Sequence, residues 1–313
     1  MMEVTKQTKE ILSPSLKSIF KKSSQSPYWF VLPYASLFIL IIVLPVIVAI
    51  ILSFFSFDTI QPPTWIGLKN YVNIFTTDSV FLQNAVPNTI SFSIIVGPIG
   101  YILSFFLAWM LAQVPHKART IYAVIIYSPS ITGAVMMAFV WRILFSGDET
   151  GYLNYILLNW FGVKDAIQFL QDADILFYIM ILVTLWSSMG LGFLAMLAGV
   201  LNIDRSLYEA AAIDGMKNRW QEIFYITIPS IKPQMLFGAV MSIIGTFNAA
   251  GIASALSGGG TPPQYAGWLI VDHAADFGFT RFEMGYASAI TVILLGIVLL
   301  FNKVAYKLFG ERE

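Results

Sequence analysis

The sequence contains no cysteine and little charge. The absence of cysteine excludes disulfides, thiolate metal sites and cysteine nucleophiles from these 313 residues. Asp, Glu, Lys and Arg make up 12% of the chain, whereas soluble domains have about 25%. The formal net charge is zero, so no overall basic field indicates binding to nucleic acid. The two histidines, His116 and His273, have no further ligands at metal-binding spacing, and we expect both to be solvated.

Long uncharged apolar intervals dominate the sequence. Hydrophobic residues make up 57% of the chain, and the mean hydropathy is +0.74. A charged side chain that faces lipid near the bilayer centre costs about 2.5–3.5 kcal/mol, so intervals without charge mark the membrane spans. About 20 apolar residues cross about 30 Å of hydrocarbon. The pattern predicts an all-α integral membrane protein with six transmembrane helices, at residues 30–54, 88–113, 120–142, 175–200, 234–256 and 284–306.

Apart from Arg142 and Lys303 near the ends of two spans, the predicted spans contain no Asp, Glu, His, Lys or Arg. Proton-coupled or voltage-coupled transport usually needs buried Asp, Glu, His, Lys or Arg. Energy for any transport is therefore expected to come from outside the membrane region. The chain also has no G-x-x-x-x-G-K-[ST] motif, and the glycine run 258–260 has no lysine after it, so this chain cannot hold ATP phosphates in the P-loop manner.

The distribution of Lys and Arg predicts the orientation. Fourteen of the 18 Lys and Arg residues fall in the N-terminal tail, in the connections after the second and fourth spans, and near the C-terminus. Because cytoplasmic loops are enriched in Lys and Arg, both termini are predicted to be cytoplasmic. The loops near 57–87, 146–174 and 257–283 are then outside the cell, and the protein lies in the inner or plasma membrane.

The chain divides into a cytoplasmic N-terminal tail at 1–29, a transmembrane domain at 30–306 and a cytoplasmic C-terminal tail at 307–313. Apolar residues alternate with lysines at 11–20, which favours a short amphipathic helix on the cytoplasmic leaflet. A frayed basic tail explains the same residues equally well.

A polar segment interrupts the apolar pattern at residues 204–233, which we call the polar island. Ser206 and Glu209 have the spacing of a capping box, which predicts a helix start. Gly215 can end that helix in a left-handed turn. The pattern predicts two short helices joined by a turn, on the cytoplasmic side of the membrane.

Small side chains lie on the first of these helices. Ala210 and Ala211 let another surface approach the helix backbone closely, and on this side of the membrane that surface should be another protein. The second short helix places Trp220, Ile223 and Phe224 on one stripe, and it is predicted to break at Pro229 and Pro233.

The polar island resembles a known family. EAAAIDG at 209–215 and ITIP at 226–229 resemble the EAA loop of permease subunits of binding-protein-dependent ABC importers. The chain around it is similar to the carbohydrate-importer branch that includes the larger maltose permease subunit. WIGLKNYVNIF at 65–75, GYLNYIL at 151–157 and GYASAI at 285–290 extend the resemblance over roughly residues 28–306.

The resemblance implies a type I ABC importer permease whose loop contacts a cytoplasmic ATPase. The residues that match the coupling motif are Glu209, Ala210, Ala211, Asp214, Gly215 and Pro229. The sequence departs from the pattern in two ways, since Ile228 stands where leucine is usual, and ten residues, one more than usual, separate Gly215 from Ile226. Because of the extra residue, the register of the second short helix relative to the family pattern stays open.

The family also implies the partners. These are a second, similar permease subunit, two ATPase subunits, a solute-binding protein outside the membrane and a sugar substrate, all within a lipid bilayer. The chain itself is expected to be a transport subunit and not an enzyme, with no cofactor of its own, because ATP and Mg²⁺ would bind the ATPase.

Polar and aromatic residues within the spans are candidates for the substrate path, since sugars bind through hydroxyl hydrogen bonds and stacking on aromatic rings. These candidates are Asn88, Thr89, Trp141, Trp186, Ser187, Ser188, Ser242, Thr246, Phe247 and Asn248. Such residues also serve as interhelical hydrogen bonds and interfacial anchors.

Alignment with the maltose permease adds a second set of candidates. The positions that resemble its sugar contacts are Ser187, Ser188, Leu191, Ser242, Gly245, Thr246 and Ala249. Several of these side chains are smaller than a disaccharide site needs. We therefore expect a wide cavity for a longer glycan, with selectivity delegated to the binding protein.

Two other classes stay open. A permease for another solute, such as a glycerophosphodiester, would have the same architecture but should place cationic groups in its cavity. A membrane-embedded enzyme or a channel-like subunit outside the ABC class would need catalytic residues or a pore lining, and it would leave the polar island unexplained.

Overall fold

Helices make up most of the protein. The computed structural model describes residues 26–309 except residue 133. The α-helices are α1 Ser26–Phe38, α2 Leu44–Leu52, α3 Lys69–Thr76, α4 Val86–Ala112, α5 His116–Ile131, α6 Ala134–Leu144, α7 Tyr152–Trp160, α8 Ala173–Ser187, α9 Leu191–Leu201, α10 Arg205–Ile213, α11 Arg219–Gln221, α12 Ile228–Ser230, α13 Lys232–Phe247, α14 Ile252–Ser257, α15 Ile270–Ala275 and α16 Met284–Phe309.

Other regular elements are short. π-helical turns lie at Ile39–Val43, Phe81–Ala85, Glu222–Thr227 and Asp276–Thr280, and a 3₁₀ turn lies at Pro263–Tyr265. Strands β1 (Phe55–Ser56) and β2 (Thr64–Trp65) pair antiparallel, with Phe55 opposite Trp65. The amphipathic helix predicted at 11–20 lies outside the described residues.

Among the described residues, four helices are long and apolar enough to cross a membrane, and they confirm the first, second, fourth and sixth predicted spans. They are Val31–Leu52, Phe81–Ala112, Ala173–Leu201 and Met284–Lys307. The first has a mean hydropathy of 3.3 and buries none of its length inside the chain. Its side chains therefore face lipid or another subunit.

The third predicted span, at 120–142, consists of two helices joined by a sharp bend. The axes of His116–Ile131 and Met136–Leu144 meet at 98°. Pro129 lies in the last turn of α5, and Thr132 follows with an extended backbone. A proline inside a helix removes one hydrogen bond and crowds the preceding turn, so the bend occurs where the helix is weakest.

The helix predicted for the fifth span at 234–256 is also interrupted. Helix α13 ends at Phe247, and α14 begins only after Gly251, which has a left-handed backbone with φ 70°. The N–H of Gly251 donates to the Asp272 carboxylate at 2.6 Å. A side-chain acceptor thus replaces the helical carbonyl, and the helix opens at residues 248–251.

Helices α4, α9 and α13 form the packed centre of the bundle. A Cβ added to Gly192 would lie 3.1 Å from the Cα of Gly238, so α9 and α13 approach each other closely. The hydroxyl of Ser242 donates to the carbonyl of Gly97 at 3.0 Å and joins α13 to α4. Small residues at such contacts are typical of helix packing in membranes.

The connections lie at two ends of this bundle. One end, which we call the island end, contains the short link 113–115 and the polar island. The opposite end, which we call the loop end, contains the segments 53–80, 145–172 and 248–283, and these segments contact one another. Gln171 donates to the carbonyl of Ser257 at 3.0 Å, and the N–H of Gly285 donates to the carbonyl of Phe57 at 3.2 Å.

Candidate functional site

A cavity of about 490 Å³ opens between α4, α8, α9 and α13. Two interruptions of helical structure form part of its wall, the break at 188–190 between α8 and α9 and the end of α13 at 248–251. Eight of the predicted substrate-path residues lie together in its lining, namely Ser187, Ser188, Leu191, Ser242, Gly245, Thr246, Asn248 and Ala249. That they contact substrate stays a prediction.

Several hydroxyl groups of the cavity donate hydrogen bonds within the protein. Ser188 donates to the carbonyl of Leu185 at 2.7 Å, and Thr246 donates to the carbonyl of Ser242 at 3.0 Å. A hydroxyl oxygen has two lone pairs, so each of these groups can still accept a hydrogen bond. The cavity can therefore accept hydrogen bonds from the hydroxyls of a ligand.

The lining of the cavity is uncharged and mostly small. No Asp, Glu, Lys, Arg or His is among the described residues that line it. Glycines contribute at several points, and a Cβ added to Gly245 would meet nothing within 4 Å. The cavity suits a neutral polar ligand that fills space, and it offers no ionic partner.

Other candidates within the spans hold the fold together instead. The amide of Asn88 donates to the carbonyl of Tyr265 at 3.0 Å, and the hydroxyl of Thr89 accepts from the N–H of Ile270 at 2.9 Å. Both residues fix the 263–270 segment to α4. The rings of Trp141 and Trp186 pack edge to face with centroids 5.4 Å apart, and Phe247 is buried in the core.

In the polar island, the first helix begins differently from the prediction. The N-cap of α10 is Asp204, whose carboxylate accepts from the N–H of Ser206 at 2.9 Å. The predicted capping box of Ser206 and Glu209 is therefore wrong. A carboxylate at the N-terminus of a helix also interacts favourably with the helix dipole. Hydrogen bonds from Ser206, first of all from its N–H, hold the pKa of Asp204 below its ordinary value.

The predicted coupling residues lie on an open surface. Glu209, Ala210 and Asp214 are exposed, and no residue of α10 is buried. Gly215 has φ +91°, in the left-handed region, with nothing within 4 Å of an added Cβ. This confirms the predicted left-handed turn and leaves one face of α10 free for a partner. Ala211 is half-buried, and Pro229 is exposed in α12.

The second half of the polar island contains a π-helical turn at Glu222–Thr227. Helical structure then continues through Pro229 to Ser230 and is interrupted at Ile231, before α13 begins at Lys232. The predicted break before the fifth span therefore lies between Pro229 and Pro233, and not at Pro229 itself. A π-helical turn inserts one residue into a helix, and it thereby accommodates the extra residue between Gly215 and Ile226.

A buried polar network lies at the loop end. The Nε2 of His273 is 2.8 Å from the Oδ2 of Asp78. The Nδ1 of the same histidine accepts a hydrogen bond from the indole N–H of Trp268 at 3.3 Å. Tyr286 donates to Asp78 at 2.9 Å. His273 is only 2% exposed, so the prediction that it is solvated is wrong. These partners are up to 208 residues apart in the chain, and sequence spacing gave no signal of the network.

The hydrogen bonds of this network decide the pKa of Asp78. Burial alone would raise that pKa, but the hydrogen bonds from His273 and the N–H of Phe81, with the charge of His273, outweigh it and hold the pKa below its ordinary value. Asp272 behaves in the opposite way. Burial raises its pKa more than the N–H groups of Gly251 and Leu269 lower it.

We expect Asp78→Asn to reduce stability at pH 7 by about 1–3 kcal/mol, because a buried acceptor of three hydrogen bonds loses its charge. A depressed carboxyl pKa stabilises the fold above the unfolded pKa, and this stabilisation is lost as pH falls through the folded pKa. The Tm of the detergent-solubilised wild type should therefore fall further than the Tm of the variant between pH 7 and about pH 3. Asp165→Asn, at an exposed carboxylate, should keep the wild-type profile. Identical acid profiles of wild type and Asp78→Asn would contradict this role.

Comparison with known proteins identifies the family. The chain is 33% identical over 290 residues to the "Probable ABC transporter permease protein YesP" of Bacillus subtilis (strain 168), and the match covers 92% of this chain and 91% of that protein. The chain belongs to the ABC transporter permease family. The permease is also 30% identical, over 91% of its length and 88% of the relative, to the "Arabinooligosaccharides transport system permease protein AraP" of Halalkalibacterium halodurans. No family model matches this permease.

The fold agrees with a solved transporter. The permease superposes with a TM-score of 0.75 on a chain of the "bacterial alginate ABC transporter in complex with alginate pentasaccharide-bound periplasmic protein". The match covers 93% of the permease and 95% of that chain, at 23% identity. The architecture is that of an all-α type I permease.

Proposed function

We propose that this permease forms half of the translocation pathway of an ATP-driven importer for a carbohydrate, most suitably an oligosaccharide. The observation that carries the proposal is the uncharged cavity of about 490 Å³, lined by hydroxyl, amide and small apolar side chains. Sugars bind through hydroxyl hydrogen bonds and apolar faces, and cavities of this size enclose ligands of several rings. The name of the arabinooligosaccharide relative supports the same substrate class.

The polar island is the proposed contact with the ATPase. It offers an exposed helix with the small side chains of Ala210 and Ala211 beside the acidic Glu209 and Asp214. Such a surface fits a cleft in another protein. Without a P-loop of its own, the permease receives motion from ATP and Mg²⁺ bound to that partner, and the cavity is exposed alternately to either side of the membrane.

The proposed assembly contains a second permease subunit, two ATPase subunits and an external solute-binding protein. The polar island then faces the cytoplasm, both termini are cytoplasmic, and the loop end faces outward from the inner or plasma membrane. A lipid-facing or subunit-facing first span fits this assembly, because Val31–Leu52 is unburied in the isolated chain. The periplasmic protein in the similar alginate transporter supports an external partner.

A phosphodiester substrate fits the cavity less well. A phosphate carries a full negative charge and is usually recognised by Arg or Lys. The described lining residues include neither. A neutral sugar needs no such group, so the carbohydrate proposal explains the lining better.

The test is reconstitution of the permease with its candidate ATPase and second permease in proteoliposomes. We expect ATP hydrolysis to rise when binding protein loaded with one oligosaccharide from a panel is added, and the labelled glycan to accumulate inside. Binding protein without ligand is the control. Failure of any ATPase to co-purify with the folded permease would refute the coupling proposal. Tight, saturable binding of a disaccharide by the permease pair alone would refute the delegation of selectivity to the binding protein.

A further inference from the structure

Helix α10 is joined to the rest of the permease through few contacts. None of its residues is buried, and only Tyr208 and Ala211 are half-buried. Among the described residues of α10, Tyr208 alone forms a side-chain hydrogen bond to another element, to Thr227 at 3.0 Å. A displacement of α10 can therefore reach the rest of the protein through the main chain, through van der Waals contacts and through this hydrogen bond.

The direction of the bond follows from its neighbour. Thr227 donates its own hydroxyl proton to the carbonyl of Glu222 at 3.2 Å. Its oxygen is then free to accept, so the phenol of Tyr208 donates to it. Thr227 is fully buried, and a chain of two hydrogen bonds therefore runs from the exposed helix α10 into the π-helical turn Glu222–Thr227.

The π-helical turn is fixed in turn to the helices that line the cavity. Ile223 and Ile231, on either side of Thr227, belong to one buried cluster with Phe105 of α4 and Phe193 of α9. The ring of Trp220 packs edge to face on Phe106 of α4, with centroids 5.9 Å apart. Helices α4 and α9, with α13, form the walls of the cavity.

We propose that Tyr208 is a positioning residue for transport, which transmits the displacement of α10 to the cavity walls through its hydrogen bond to Thr227. This inference rests on the proposed function, because it assumes that an ATPase moves α10. The π-helical turn is then more than an accommodation of one extra residue, since it places the Thr227 hydroxyl opposite Tyr208. A bond that aligns two rigid segments lets motion of one segment bias the other.

The test uses the complete reconstituted importer and measures glycan uptake and ATP hydrolysis in the same proteoliposomes. Tyr208→Phe removes only the phenolic hydroxyl, and Thr227→Val removes the hydroxyl that accepts from Tyr208 and donates to the carbonyl of Glu222. We expect each variant to assemble with the ATPase and to hydrolyse ATP as the wild type does, but to import about fivefold less glycan per ATP. The double variant should be no worse than Thr227→Val alone, because the hydroxyl that Tyr208→Phe removes then has no partner at residue 227 to lose.

Two controls keep the result specific. Tyr225→Phe removes a hydroxyl from an exposed tyrosine in the same π-helical turn and should import normally. Thr227→Ser keeps the acceptor and should retain coupling. Wild-type uptake per ATP in Tyr208→Phe would overturn the inference, and so would additive losses in the double variant. Loss of assembly in Tyr208→Phe and Thr227→Val alike would assign the bond a purely structural role. Failure of the wild-type chain to couple to any ATPase would instead refute the proposed function.

Discussion

Replacing Gly245 with phenylalanine is expected to reduce glycan uptake by about tenfold or more while the chain remains folded. Gly245 lies on α13 and lines the cavity. An added Cβ there meets nothing within 4 Å, so the ring has room to enter the open space that a sugar would occupy. A loss of about 1.4 kcal/mol of favourable binding already lowers occupancy tenfold. Uptake in proteoliposomes and the elution profile in detergent measure the two parts of this expectation.

Gly296 provides a matched control. It also lies within a helix, α16, and an added Cβ there also meets nothing within 4 Å, but it does not line the cavity. Gly296→Phe should therefore fold and transport as the wild type does. If Gly245→Phe imported glycan at the wild-type rate, the cavity between α4, α8, α9 and α13 would not be the translocation route.

Replacing Gly215 with valine is expected to abolish ATP-driven uptake without loss of the membrane-embedded part of the chain. At φ +91°, an L-residue pays a steric cost of about 1–2 kcal/mol, and a β-branched residue pays more. The turn that ends α10 would rearrange, and α10 would no longer present Glu209 and Ala210 at the same angle. Nothing within 4 Å of the Cβ opposes the new side chain itself, so the effect comes from the backbone.

The comparison for this position is Gly215→Asn, because asparagine tolerates the left-handed region far better than valine does. It should retain most of the uptake, which would separate backbone geometry from side-chain bulk. Co-purification with the ATPase measures whether the contact survives. Normal uptake in Gly215→Val would remove the main support for coupling through the polar island.

The parts of the fold that the sequence predicted correctly are those that depend on composition alone. The span Val31–Leu52 contains no charge and is followed by a turn, so hydropathy defines it. The left-handed turn at Gly215 follows from the residue itself. In contrast, the opening after Phe247 depends on Asp272, whose carboxylate lies 21 residues away from Gly251. No local pattern contains that contact.

The candidate cavity was predicted from a family resemblance and not from spacing. Ser188 follows the end of α8 and Thr246 lies on α13, and both line the cavity beside the close approach of Gly192 and Gly238. The aromatic candidates lie outside the lining of the cavity. Composition identifies Trp141 and Trp186 as apolar rings within spans, but it does not show that the two rings pack on each other.

The opening at residues 248–251 gives the cavity a wall made partly of main chain. Peptide groups that leave a helix at membrane depth persist only where they line an aqueous space or find protein partners, so this part of the cavity is expected to hold water when no ligand is present. Peptide groups are the same whatever side chain they carry. Substitutions at Ala249 and Ala250 would therefore leave this hydrogen-bonding surface unchanged, and relatives could accept different glycans over evolutionary time without having to rebuild it.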